Sequence, residues 1–134
     1  MRIVIPNELT LPPIPAGAYR ARITGHKYKT SAAGNPMLQL ELTLLTQGPV
    51  PEIKTINRKI VDMMPITEET LWRVNQAYKA CTGIDLPAGQ DFSVEELINF
   101  VVSNVINKEV VIATDVEQYQ GQARNKIKGY NPIV

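Results

Sequence analysis

Leucines fall on every second position from Leu38 to Leu44, with Gln39, Glu41 and Thr43 between them. That period of two predicts a strand with one face in a core and one in water, over Met37–Leu45. The same period runs earlier, from Gly17 to Lys29, where Tyr19, Ala21 and Ile23 alternate with Arg20, Arg22 and Thr24. Ser31, Gly34, Asn35 and Pro36 make the stretch between the two a loop, residues 30–36. After a turn at Gln47-Gly48-Pro49, a third strand is expected over Ile53–Val61. The period then changes. Leu71, Val74, Tyr78 and Cys81 recur at spacings of three and four, which predicts a helix over Thr67–Cys81 with Gly83 as its stop. Ser93-Val94-Glu95-Glu96 fits a capping box, opening a second helix with Leu97, Ile98, Val101 and Val105 as its apolar stripe. Strand character returns at Glu109–Glu117. A tight turn at Tyr119-Gln120-Gly121-Gln122 leads to a last strand, Ala123–Tyr130. Pro6, Pro12, Pro13 and Pro15 make residues 1–16 an irregular arm.

Three strands, a helical insert over residues 65–106 and two further strands predict a mainly β domain. That is the order of a five-stranded OB-fold barrel, with its helices between strands three and four. At 134 residues the chain suits one such domain, residues 1–134, able to bury a core without staples. A single cysteine, Cys81, excludes an internal disulfide and fits a reducing compartment. Pro6, Asn7 and Glu8 interrupt the opening apolar run before a secretory leader forms, and no stretch approaches the ~20 apolar residues of a membrane span. A cytoplasmic chain without membrane contact is therefore expected.

The net charge of +1 hides an uneven distribution. Residues 1–67 hold eight Lys/Arg and four Asp/Glu, residues 68–117 hold three and nine, and residues 118–134 hold three and none. The chain is thus +4, −6 and +3 in turn. Both ends are basic, and folding can bring them onto one surface. OB-folds hold oligonucleotides on the face of strands two and three, between the loops joining strands one–two and four–five. Those loops, residues 29–36 and 118–122, lie in the basic parts.

Several phrases carry a family likeness: Pro15-Ala16-Gly17-Ala18-Tyr19-Arg20-Ala21, then Lys29-Thr30-Ser31 with Gly34-Asn35-Pro36-Met37-Leu38, then Tyr119-Gln120-Gly121 with Arg124-Asn125. Their order and spacing, over residues 15 to 130, resemble phage-encoded single-stranded-DNA-binding proteins of the OB-fold type. The resemblance implies a non-catalytic, sequence-tolerant single-strand binder of phage DNA replication or recombination, in the host cytoplasm. It would work beside replication or recombination proteins, and the resemblance is compatible with a homo-oligomer. The acidic tail through which such proteins recruit partners has no counterpart in the closing Gly129-Tyr130-Asn131-Pro132-Ile133-Val134.

Single-strand binding needs cations that follow the phosphates and aromatic rings on which bases stack. Arg20, Arg22, Lys27 and Lys29 surround Tyr28, Arg58 and Lys59 are expected on the third strand, and Arg124, Lys126 and Lys128 lie near Tyr119 and Tyr130. These are the candidate nucleic-acid contacts. Arg124, Lys126 and Lys128, spaced by two, are expected in one row, with Ala123, Asn125 and Ile127 on the other face. Tyr19 is expected in the core, and Trp72, Tyr78, Phe92 and Phe100 as packing of the insert. His26, without partners, makes no metal site, and Cys81 on an apolar stripe reads as an inert thiol. Glu68/Glu69 and Glu95/Glu96 complement helix starts. No cofactor and no metal is expected. A protein–protein module on the same fold is the rival reading, with an apolar patch around Val101, Val102 and Val105. An enzyme would have to use Asp62 and Asp115.

Overall fold

The computed structural model describes Arg2 and residues 13–133; Pro6 and Pro12 of the opening arm lie outside the described residues. Strands β1 (Gly17–Thr30), β2 (Pro36–Leu44) and β3 (Lys59–Pro65) are followed by helices α1 (Leu71–Thr82) and α2 (Val94–Val105). Strands β4 (Glu109–Tyr119) and β5 (Gln122–Asn131) complete the chain. All five strands join one antiparallel sheet in the order β3-β2-β1-β4-β5. Among the described residues no helix is long and apolar enough to cross a membrane.

The alternation in sequence becomes the core. Tyr19, Ala21 and Ile23 of β1, the four leucines of β2 and Ile112 of β4 are fully buried on one side of the sheet. Val74, Ala77 and Tyr78 of α1 and Ile98, Val101 and Val105 of α2 close over that side. Tyr78 stacks on Phe100 with centroids 5.6 Å apart, and Phe92 leans on Phe100 at 5.3 Å. The capping box forms as the sequence predicts: Glu96 N donates to Ser93 Oγ at 3.1 Å, and Ser93 N donates to Glu96 Oε1 at 3.2 Å. Gln120 and Gly121, both at positive φ (51° and 79°), form the two-residue β4–β5 turn.

Two expectations need correction, on the third strand and on Trp72. The third strand begins at Lys59, not Ile53, because side chains shape the preceding segment into a loop. The Gln47 amide donates to Val50 O and Ile53 O, Thr55 Oγ1 donates to Thr46 O, and Asn57 takes a φ of 69°. The last residues of the irregular arm dock on the domain. Ile14 is fully buried, with its N–H and C=O bonded to the Asn125 side-chain amide at 3.0 and 2.9 Å. Trp72 does not pack the insert; it is 63% exposed.

The feature that matters most for the surface is a bulge in β1. Ile23 lies opposite Leu42 and Gly25 opposite Glu41, so Thr24 is an extra residue in the ladder. Side chains alternate with a period of two, and one inserted residue exchanges the faces of everything beyond it. Arg20 and Arg22 point outward before the bulge. Beyond it Lys27 and Lys29 point outward too, opposite Gln39 and Met37, while His26 and Tyr28 turn to the helix side, opposite Leu40 and Leu38.

Candidate nucleic-acid interface

Cross-strand partners in an antiparallel ladder share a face, so the register defines the outward surface. It carries Arg20, Arg22, Lys27 and Lys29 from β1 and Lys59, Val61 and Met63 from β3. The other arm of the sheet adds Arg124 and Lys126 from β5. Val61 is 50% exposed and Met63 36%, giving the cations an apolar strip between them. Four carboxylates share the face: Glu41, Glu109, Asp115 and Glu117.

Three of those carboxylates are paired. Glu109 accepts from Arg20 Nε at 3.0 Å and Arg22 Nη2 at 3.2 Å, and these hydrogen bonds hold its carboxyl below the usual glutamate range. Lys59 Nζ lies 3.5 Å from Glu41, while Glu117 takes Arg124 Nε at 2.7 Å and Lys126 Nζ at 3.9 Å. Lys27, Lys29 and Lys128 have no ion-pair partner among the described residues. Exposed pairs of this kind contribute only ~0–1 kcal/mol to the fold and leave their cations able to turn toward a polyanion.

Between the β3 and β5 edges runs a groove of about 480 Å³, lined by Lys59, Val61, Met63, Arg73, Arg124 and Lys126 among others. Its floor is a buried polar network. Arg73 Nη2 donates to both Asp62 oxygens at 2.9 Å and to Ile127 O at 3.2 Å. Tyr130 Oη donates to Asp62 Oδ2 at 2.7 Å. The network ties one sheet edge to the other through α1. Burial raises the Asp62 carboxyl above its ordinary value, against the pull of Arg73 and the two hydrogen bonds. Burial first, and then the Asp62 charge, push the Tyr130 phenol well above its ordinary value.

The candidates separate accordingly. Arg20, Arg22, Lys27, Lys29, Lys59, Arg124 and Lys126 meet on one face. Lys128 is exposed but stands at a second bulge, where Ile127 pairs with Thr114 and Gly129 with Ala113. The expected row of three therefore keeps its regular spacing only through Lys126. Arg58 is not on β3: it precedes the strand, half-buried, with its carbonyl accepting from Leu44 N at 2.8 Å. Tyr130 is not a surface ring, because the β5 bulge turns it into the core. Tyr28 is 52% exposed but stands on the helix side, beside Glu95, Ile98 and Asn99 of α2, not among Lys27 and Lys29. The side chain of Tyr119 lies outside the described residues.

The expected patch at Val101, Val102 and Val105 does not exist, since all three are buried against the sheet. Cys81 is half-buried, and burial pushes its thiol up to about 11, against the pull of Lys108. Sequence reasoning missed Arg73, counted only among the charges of residues 68–117, and the exposure of Trp72. The helical spacing that places Val74, Ala77 and Tyr78 inward also turns Trp72 toward the surface.

A family model described as "Protein of unknown function (DUF669)" matches residues 7–134, and the chain belongs to that family. No curated protein matches it.

Proposed function

We propose that this member of the DUF669 family binds single-stranded DNA, without catalysis, across the outward face of an OB-fold barrel. The barrel reading is supported by the element order and by the approach of the β3 and β5 edges, bridged by Asp62, Arg73 and Tyr130. A curled five-stranded sheet with its edges brought together over a helix is the partly open barrel of that fold.

One observation carries the function. The bulge at Thr24 puts Lys27 and Lys29 on the same face as Arg20, Arg22, Lys59, Arg124 and Lys126. Seven cations there face four carboxylates, an excess of three positive charges, in a chain whose net charge is +1. Acids outnumber cations six to two over residues 65–106, the helical segment. Cations that track phosphates beside an exposed apolar strip suit unpaired bases, whose faces a duplex keeps stacked inside. Contacts of these two kinds carry little sequence information, which favours tolerant binding. The likeness of the hairpin phrases to phage single-strand binders supports a role in replication or recombination, beside proteins of those processes.

The test is anisotropy of a labelled oligo-dT against a duplex of equal length at low salt. The single strand is expected to bind more tightly. Equal affinity for the two, or none for either, defeats the reading.

A further inference from the structure

We infer that Trp72 is the stacking platform of this interface, holding a base at the end of the β5 cation row; the inference rests on the single-strand reading above and names the ring that reading lacks. The outward sheet face offers apolar Val61 and Met63 but no described aromatic ring, since Tyr130 is in the core and Tyr28 stands on the helix side. Trp72 is the single tryptophan of the chain and is 63% exposed. A ring of that size is ordinarily drawn inward or used at an interface.

Its position follows from helix geometry. Arg73, the next residue, reaches across to Ile127 O and Asp62, which pins the first turn of α1 beside β5 and the groove. Gln76, one turn later, accepts from Tyr130 N at 3.3 Å, directly after the β5 bulge. Residues i and i+4 of a helix share a face, so Trp72 lies on the side of α1 that meets β5. The bulge there exposes Lys128, which has no ion-pair partner among the described residues. An aromatic ring is thus carried on the β5 side of α1, where the bulge ends the regular Arg124–Lys126 spacing and exposes Lys128. Alternate strand residues are ~6–7 Å apart, close to the phosphate spacing of an extended strand. A backbone following that row would bring a base toward the indole. The charge of the row selects a polyanion over a neutral apolar partner.

The experiment titrates the protein with oligo-dT, reading Trp72 emission and, in parallel, the anisotropy of a labelled oligonucleotide. Emission is expected to be quenched along the same curve as the anisotropy rise. Trp72→Ala is expected to weaken affinity roughly 5- to 150-fold, with Trp72→Phe weakening it less. Melting curves should be nearly those of the parent for both variants. If anisotropy reports binding while emission stays unchanged at saturation, the inference is overturned and the reading of the outward face survives. If no anisotropy rise occurs, both are overturned. An emission blue shift with rising protein concentration, without DNA, overturns it in favour of a second copy of the chain covering the ring.

Discussion

The two halves of β1 are one continuous strand with different surroundings. From Gly17 to Ile23 the strand pairs with β4 over Gly17–Arg22 and with β2 from Ala21 onward, and its inward Tyr19, Ala21 and Ile23 are fully buried. Its outward arginines are shared with Glu109. From Gly25 to Thr30 it pairs with β2 alone, most of its side chains are exposed, and its lysines have no ion-pair partner among the described residues. The first half is frame and the second presents charge. The single extra residue at Thr24 lets both halves show their cations on the same face, at the cost of sending Tyr28 to the other.

Breaking the frame half has the largest expected effect. Tyr19 is fully buried, its hydroxyl donates to Pro15 O at 2.6 Å, and a Cβ at Gly48 would overlap its ring. Tyr19→Ala is expected to cost about 3–5 kcal/mol in denaturant unfolding, whereas Lys27→Gln with Lys29→Gln should move stability by less than about 0.5 kcal/mol.

The bridge between the sheet edges comes next. Asp62→Ala strips Tyr130 and Arg73 of their acceptor and is expected to cost about 1–3 kcal/mol. The sign of its pH dependence is fixed by the raised carboxyl. From the ordinary aspartate value of 3.8 up to the raised value, the folded state holds the proton more than the unfolded state does. Asp62 therefore contributes stability at low pH that is lost as pH rises through the raised value. Asp62→Asn should flatten that part of the stability–pH curve. A curve unchanged by the substitution would contradict the assignment.

The charge half is sharpened by two double substitutions compared in salt titrations with oligo-dT. Lys27→Gln with Lys29→Gln removes two unshared cations and should flatten the log-affinity slope by about 1.4. Arg20→Gln with Arg22→Gln removes cations already shared with Glu109 and should flatten it by only about 0.7. Equal effects would erase the distinction between the halves. The smallest change is expected from Tyr28→Ala, with affinity within about twofold of the parent, because the ring leaves the outward face at the bulge. A larger loss would put the DNA path on the helix side.

Much of the frame was legible because its signals are local. Leu38 to Leu44 alternate without interruption, and Ser93 and Glu96 stand three apart as a capping box requires. The order of elements followed from those periods. The surface was less legible because its determinants are relations between strands. Nothing in Ile23-Thr24-Gly25 announces that Thr24 lacks a partner, since a bulge is defined by the register with β2. Its neighbours in sequence put Tyr28 with Lys27 and Lys29, and the ladder turns it to the opposite face. Tyr130 failed for the same reason at the bulge in β5. β3 was displaced because Ile53 and Ile56 look like strand residues, while the bonds from Gln47 and Thr55 that shape their loop cannot be seen in composition. Trp72 was assigned to packing by residue type, although the inward arc of α1 is filled by Val74, Ala77 and Tyr78.

The central claim is that the outward face binds single strands through its cations, and its most direct test is the salt dependence of oligo-dT affinity. With about four phosphates neutralised, log affinity should fall against log salt with a slope of roughly −3. A slope near zero, or no measurable affinity at low salt, would contradict the account.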